Sequence, residues 1–268
     1  MSILKTFKID VCQRDLNFIY KKVSEYPWHE MPSDGGWQFG ANIDFMKDLC
    51  KYWVEQFDWK RQEDKINSFD NFTAEVDGIE VHFIYERGSG SKPKPLIISH
   101  GWPGSIIEFI EIIDPLAHPE RYGGNAEDAF DVIVPSLVGF GFSGKPPRPY
   151  GPRRMALIFN KLMTEVLGYK SYIAQGGDWG GTISTWLGYD YPKFCEGIHI
   201  NIMTVRHYEG PKGVEEELWA SMFEEDQIPE NGYRILQATK PQTLSYGVMD
   251  SPVGLAARIN EKFYCRSD

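Results

Sequence analysis

The chain has 268 residues, a formal net charge of −10 at pH 7 and 14% aromatic residues. That length allows a large hydrophobic core, and one large domain with additions is the simplest expectation. The acidic charge argues against nucleic acid or an anionic membrane as a partner. The most apolar stretch, residues 95–117, is interrupted by a histidine, a proline and three carboxylates, so it is not predicted to span a membrane.

The first part of the chain is predicted to be helical and rich in aromatic residues, up to about residue 70. Residues 42–59 repeat apolar side chains at steps of three and four, which indicates an amphipathic helix. From Phe72 the period changes to two. Residues 72–88 hold two alternating segments around Asp77-Gly78, which predicts a β-hairpin.

Strands and helices alternate from residue 95 to Met203, a pattern that predicts a parallel sheet with right-handed crossovers. After Met203 the alternation stops, and the remainder is predicted to be helical. The predicted strands cover residues 95–101, 130–137, 171–175 and 196–203, and the main helices between them cover 105–117 and 153–168.

Four glycines surround a single carboxylate in the sequence GGDWGG, residues 176–181. The order of strand, small residues around Asp178, and helix is the nucleophile-elbow pattern, with aspartate in the usual position of serine. Glycine permits a sharp turn and a close approach of the helix. An N-cap aspartate is the structural alternative, but a cap does not require glycines on both sides. We therefore predict that Asp178 is a nucleophile at the carboxyl edge of the sheet.

A carboxylate nucleophile is suited to attack at a saturated carbon, which gives an alkyl ester that water must then cleave. The cleavage puts negative charge on an oxygen of Asp178, so an oxyanion hole is expected beside it. The turn SHGWPGS, residues 99–105, follows the first strong parallel strand. We predict that the backbone N–H groups of Trp102 and Trp179 form this hole. An ordinary turn at the end of a strand is the alternative for the same residues.

These motifs resemble the α/β-hydrolase-fold epoxide hydrolases of the microsomal and fungal type, which include juvenile hormone epoxide hydrolases. The resemblance implies an α/β fold with a mostly parallel sheet flanked by helices. It also implies an N-terminal wrapping region at 1–75, an α/β-hydrolase core at 76–203 and a helical cap at 204–268. The stretches that carry it are 52–87, 99–105, 135–146, 172–181 and 232–263.

The same resemblance implies an enzyme that opens a small apolar epoxide to a vicinal diol through an ester on Asp178. Tyr233 matches the first of two cap tyrosines that hydrogen-bond the epoxide oxygen in that family. A phenol donates a proton to an alkoxide while it stays neutral at pH 7, although Tyr233 could instead be a packing residue. No metal or organic cofactor is expected, because no cluster has ligand spacing.

The family's base histidine, its acid partner and the second tyrosine are expected beyond Asp268, so the C-terminal part of the fold is expected to be absent and turnover is in doubt. Of the histidines that are present, His100 is expected to fix the oxyanion turn rather than activate water. The last strand would lie at a sheet edge, which predicts aggregation or a homodimer. The six histidines are His29, His82, His100, His118, His199 and His207.

Two other functions remain open from the sequence. A haloalkane dehalogenase shares the aspartate nucleophile, and the Trp179 indole could hold a halide, but Tyr233 and the N-terminal region argue against it. A non-catalytic relative that binds apolar molecules, or a fragment, fits the missing histidine and acid. The cysteines contain no C-x-x-C pair, which predicts reduced thiols. The start of the chain contains no signal peptide, and together these features predict a cytoplasmic location. The four cysteines are Cys12, Cys50, Cys195 and Cys265.

Overall fold

The structure, a computed structural model, describes residues 4–30, 35–202 and 209–267. It divides into two compact units. The first consists of Met1–Asp10 and Lys60–Val205, and the second of Val11–Trp59 and Arg206–Asp268. Domain boundaries at residues 75 and 203 stay predictions.

The first unit is built on a mixed seven-stranded sheet in the order β1-β2-β3-β5-β4-β6-β7. The four strands β5, β4, β6 and β7 are parallel, and the other three are antiparallel. The α/β fold with its mostly parallel core is therefore confirmed. The strands are β1 (Lys5–Thr6), β2 (Asn71–Val76), β3 (Ile79–Glu86), β4 (Lys94–Ser99), β5 (Phe130–Pro135), β6 (Tyr172–Gly176) and β7 (Cys195–Ile200).

The hairpin predicted around Asp77-Gly78 is present between β2 and β3. Val76 faces Ile79 across a two-residue turn, and both turn residues have positive φ, 51° and 76°. That pair of angles is the geometry that a type I′ turn requires.

The helices follow the predicted order with local differences. The segment predicted as one helix at 105–117 starts with a 3-10 turn at Ile106–Phe109, and a π-helical turn at Leu162–Val166 follows the helix Pro152–Lys161. The predicted last strand ends at Ile200, and Met203 lies outside the described residues. The helices are α1 (Gln13–Ser24), α2 (Ile43–Glu55), α3 (Trp59–Asn67), α4 (Ile110–Ala117), α5 (Pro152–Lys161), α6 (Trp179–Asp190), α7 (Val214–Glu230), α8 (Gly232–Thr239), α9 (Pro241–Val248) and α10 (Pro252–Arg266).

In the second unit, the two N-terminal helices pack against the last helix. Val23 of α1, Met46 and Cys50 of α2, and Val253 of α10 form one buried apolar cluster. Helices α1 and α2 thus share a core with α10, although about 200 residues separate them in the chain. No helix in the described ranges has the length and hydropathy to cross a membrane. The homodimer stays a prediction, although β7 is an edge strand of the described sheet.

A buried histidine on β3 holds the loop after β5. His82 Nδ1 and Ser136 Oγ are 3.0 Å apart, and Nε2 lies 3.0 Å from Asn71 Oδ1. The His82 backbone N–H also donates to Ser143 Oγ at 3.0 Å. Burial lowers the pKa of His82 to about 4, so the ring is neutral at pH 7. His82 is therefore a structural residue.

Candidate active site

The register of the parallel strands brings three chain segments to one edge of the sheet. Ser99 at the end of β4 faces Gly176 at the end of β6, and Gly176 faces Ile200 at the end of β7. The turn that follows β4 therefore begins beside the residues that follow β6. Ligand sites of open α/β sheets occur at this carboxyl edge.

Asp178 occupies a strained bend between β6 and α6. Its backbone has φ 49° and ψ −122°, a conformation that side-chain-bearing residues rarely adopt. Strain of this kind costs on the order of 1–3 kcal/mol. The glycines make the bend possible: a Cβ on Gly180 would lie 1.8 Å from the Ser99 carbonyl oxygen, and one on Gly176 would lie 2.2 Å from the Gly180 backbone. The predicted close approach of helix and strand is confirmed.

The Asp178 carboxylate is directed at the turn after β4 rather than at its own helix. Asp178 stands at the N-cap position of α6, but its side chain makes no cap hydrogen bond. The backbone N–H of Trp102 donates to Asp178 Oδ1 at 2.8 Å. A Cβ on Gly101 would lie 2.3 Å from that same oxygen, so glycine is required there as well.

The structure thus brings together three of the four predicted site residues. Trp102 and Asp178 are bonded, and Trp179 follows directly as the first residue of α6, with 48% of its surface exposed.

His100 holds the turn at residues 99–105 through hydrogen bonds at both of its ring nitrogens. The backbone N–H of Leu137 donates to His100 Nε2 at 3.1 Å, so the proton is on Nδ1, which donates to the Gly101 carbonyl at 3.0 Å. Burial lowers the pKa of His100, opposed by the Gly101 carbonyl and the charge of Asp178. The neutral ring therefore positions the turn, as expected from the sequence.

The other histidines occupy different places. His118 Nε2 lies 3.1 Å from Glu86 Oε1, His199 is in β7, and His82 is the buried residue of β3. His29 precedes α2 in the second unit, and His207 lies outside the described residues.

The predicted proton donor Tyr233 lies in the second unit, on α8. Arg266 Nη2 donates to its phenol oxygen, and the Arg266 guanidinium lies 5.0 Å from the ring centre. The Lys262 ammonium lies 4.8 Å from the same ring. Two cations from α10 thus hold this tyrosine, a setting that the sequence did not reveal.

A carboxylate–thiol cluster in the second unit was also not predicted from the sequence. Ligand atoms of Glu230, Glu261 and Cys265 lie within 4.8 Å of one another. The buried Lys262 ammonium is 2.9 Å from Glu230 and 2.7 Å from Glu261, and it already compensates their charge. The i,i+4 spacing of Glu261 and Cys265 was the available signal, but Glu230 comes from another helix.

A strained aspartate between a parallel strand and a helix, met by a backbone N–H from the turn after a neighbouring strand, is the arrangement of the nucleophile elbow in the α/β-hydrolase fold. A family model for that fold matches residues 94–202, and a model described as "Epoxide hydrolase N terminus" matches residues 4–109. The chain is therefore similar to the epoxide hydrolases, and the likeness extends over nearly its whole length.

Individual relatives agree with this assignment. Epoxide hydrolase 1 of Oryctolagus cuniculus is 32% identical over 97% of this chain and 62% of its own length. The crystal structure of juvenile hormone epoxide hydrolase from the silkworm Bombyx mori matches with a TM-score of 0.82 and 31% identity, over 98% of this chain and 64% of that one. The Aspergillus niger epoxide hydrolase matches with a TM-score of 0.85 and 27% identity, over 97% and 69%. The chain spans about three fifths of the length of the curated relatives that it matches.

Proposed function

We propose that this protein opens small apolar epoxides, with Asp178 as the nucleophile that forms an alkyl ester. The main support is the hydrogen bond from the Trp102 N–H to Asp178 Oδ1 at a strained elbow. That bond orients the carboxylate and makes Oδ2 the oxygen that attacks. A vicinal diol is the product once water cleaves the ester.

Asp178 Oδ2 forms a bond to an epoxide carbon, the carbon–oxygen bond of the ring breaks, and the alkoxide takes a proton from a phenol. Water then adds to the ester carbonyl carbon and gives up a proton, the alkyl oxygen leaves as the second hydroxyl, and a proton returns to the phenol. During the second step the Trp102 and Trp179 N–H groups would stabilise the negative charge on Asp178 Oδ1, the carbonyl oxygen of the ester.

The direct test is covalent labelling of the 268-residue chain by styrene oxide. We expect intact-protein mass spectrometry to show a gain of one substrate mass, and peptide mapping to place it on Asp178. The ester is expected to be long-lived, because general-base assistance is worth about 10²–10⁴-fold and His100, in the turn after β4, is already bonded to the Leu137 and Gly101 backbone. A folded chain that yields neither adduct nor diol would contradict the proposal and favour a non-catalytic binding protein.

Tyr233 is the proposed proton donor to the epoxide oxygen. The hydrogen bond from Arg266 Nη2 to its phenol oxygen supports this role, since a phenol that accepts through its oxygen can still donate its O–H. We expect Tyr233→Phe to slow single-turnover labelling by about a hundredfold, the usual cost of losing one transition-state donor. Tyr246, a 77% exposed tyrosine of α9, offers the matched control Tyr246→Phe. Equal labelling rates in the two variants would leave Tyr233 as a packing residue.

A further inference from the structure

The phenol oxygen of Tyr233 accepts a hydrogen bond from a group that can only donate. Arg266 Nη2, at the end of α10, donates to this oxygen. A phenol donates through its O–H and accepts through its lone pairs, whereas a guanidinium has N–H donors and no acceptor. The contact therefore uses a lone pair of Tyr233 and leaves its proton on the phenol. A carbonyl or carboxylate in the place of Arg266 would have taken the O–H as its donor.

An ion network on α10 surrounds the same ring. The Lys262 ammonium, one helical turn before Arg266, lies 4.8 Å from the Tyr233 ring centre, and Lys262 is only 5% exposed. It is 2.9 Å from Glu230 at the end of α7 and 2.7 Å from Glu261. The hydrogen bond from Lys262 and, to a smaller extent, the charge of Arg266 lower the pKa of Glu230 against the opposing effect of burial. An ionised Glu230 thus holds both cations of α10 next to the tyrosine.

This arrangement restrains the direction in which Tyr233 donates. The hydrogen of a hydroxyl group rotates to suit its partners. An N–H that points at the oxygen repels the phenol hydrogen, so the hydrogen lies on the side of the oxygen away from Arg266. Lys262 and Arg266, whose charged groups lie 4.8 and 5.0 Å from the ring centre, also restrain the ring itself. A donor that is aimed before the reaction contributes more to the rate than one that must first reorient.

We propose that Arg266 is a positioning residue, which binds the phenol oxygen of Tyr233 and so directs its O–H at the epoxide oxygen. This inference rests on the proposed function. Asp178 Oδ2 bonds to an epoxide carbon, the carbon–oxygen bond of the ring breaks, and the proton of Tyr233 passes to the alkoxide. The hydrogen bond from Arg266 strengthens in that step, because its acceptor changes from a neutral phenol to a phenolate.

The test is a double-mutant cycle on the rate of single-turnover labelling by styrene oxide. We expect Arg266→Met to label about tenfold more slowly than the wild type, the usual effect of losing a hydrogen bond from a charged group. Arg266→Met combined with Tyr233→Phe should be no slower than Tyr233→Phe alone, because Arg266 acts only through the phenol oxygen. Arg266→Lys, which also only donates, should recover part of the rate. Arg234→Met, which removes an exposed arginine of α8, is the matched control and should label like the wild type.

Two results of the cycle would overturn the inference. One is a wild-type labelling rate in Arg266→Met. The other is a double variant in which the two losses multiply, because independent losses would mean that Arg266 does not act through Tyr233. A wild-type rate in Tyr233→Phe would refute the donor and the positioning role together.

Labelling by benzyl bromide separates positioning from a general structural defect. Asp178 Oδ2 displaces bromide at carbon, and bromide leaves as an anion without a proton. We therefore expect peptide mapping to show equal labelling of Asp178 by benzyl bromide in the wild type and in every Arg266 and Tyr233 variant. Slower bromide labelling of Arg266→Met would show a structural defect and would overturn the positioning role. Failure of both reagents to label Asp178 in the folded wild type would refute the proposed function instead.

Discussion

Asp178→Asn should abolish covalent labelling by epoxides while the fold is kept. The amide has the same shape as the carboxylate, and its oxygen still accepts the Trp102 N–H that now bonds Oδ1 at 2.8 Å. It has no anionic oxygen that attacks carbon, so the labelling rate should fall on the order of 10³-fold or more, as when other enzymes lose a nucleophile. Intact-protein mass spectrometry after a fixed exposure to styrene oxide measures the loss.

Asp128→Asn is the matched control for this variant. Asp128 is exposed and precedes β5, at the amino end of the parallel strands. Its replacement should leave labelling at the wild-type level. Circular dichroism spectra of both variants should equal that of the wild type. Full labelling of Asp178→Asn would show that another residue is the nucleophile.

Gly180→Ala should be strongly destabilising. The added methyl would lie 1.8 Å from the Ser99 carbonyl oxygen and 2.9 Å from that of His100. Both are backbone atoms at the end of β4, so relief requires α6 to move away from the sheet. Overpacking of this kind costs about 1–3 kcal/mol and occasionally more, a large share of the roughly 5–15 kcal/mol by which native domains are stable.

The midpoint of urea unfolding, followed by circular dichroism, measures that cost. Gly197→Ala is the control, since a Cβ on Gly197 of β7 meets no atom within 4 Å and its φ is not positive. We expect the midpoint of Gly180→Ala to fall well below that of the wild type, with the midpoint of Gly197→Ala unchanged or higher. Equal midpoints for the two variants would show that α6 can move away from the sheet with little loss of folding stability.

Much of the elbow could be predicted from sequence because its constraints are local. Glycine before and after Asp178 has few uses other than a bend with close backbone approach, and the distances at Gly176 and Gly180 confirm that use. The hairpin at Asp77-Gly78 was predictable for the same reason, since its turn type needs residues that tolerate positive φ.

Other features depend on contacts between distant parts of the chain. The GWPG turn is visible in the sequence, but its nearness to Asp178 follows from the pairing of Ser99 with Gly176. The contact of Arg266 with Tyr233 joins two helices through residues that lie 33 positions apart in the chain. The core shared by α1, α2 and α10 likewise has no local pattern that specifies it.

The backbone angle of Asp178 has a consequence for laboratory evolution of this protein. A glycine at this position would adopt φ 49° without strain, and water could replace the carboxylate at the exposed Trp102 N–H. Relief of about 1–3 kcal/mol is as large as most single stabilising substitutions give. A library sorted only for heat resistance would therefore enrich chains that have lost the proposed nucleophile, and a sound selection must also report on reaction with an epoxide.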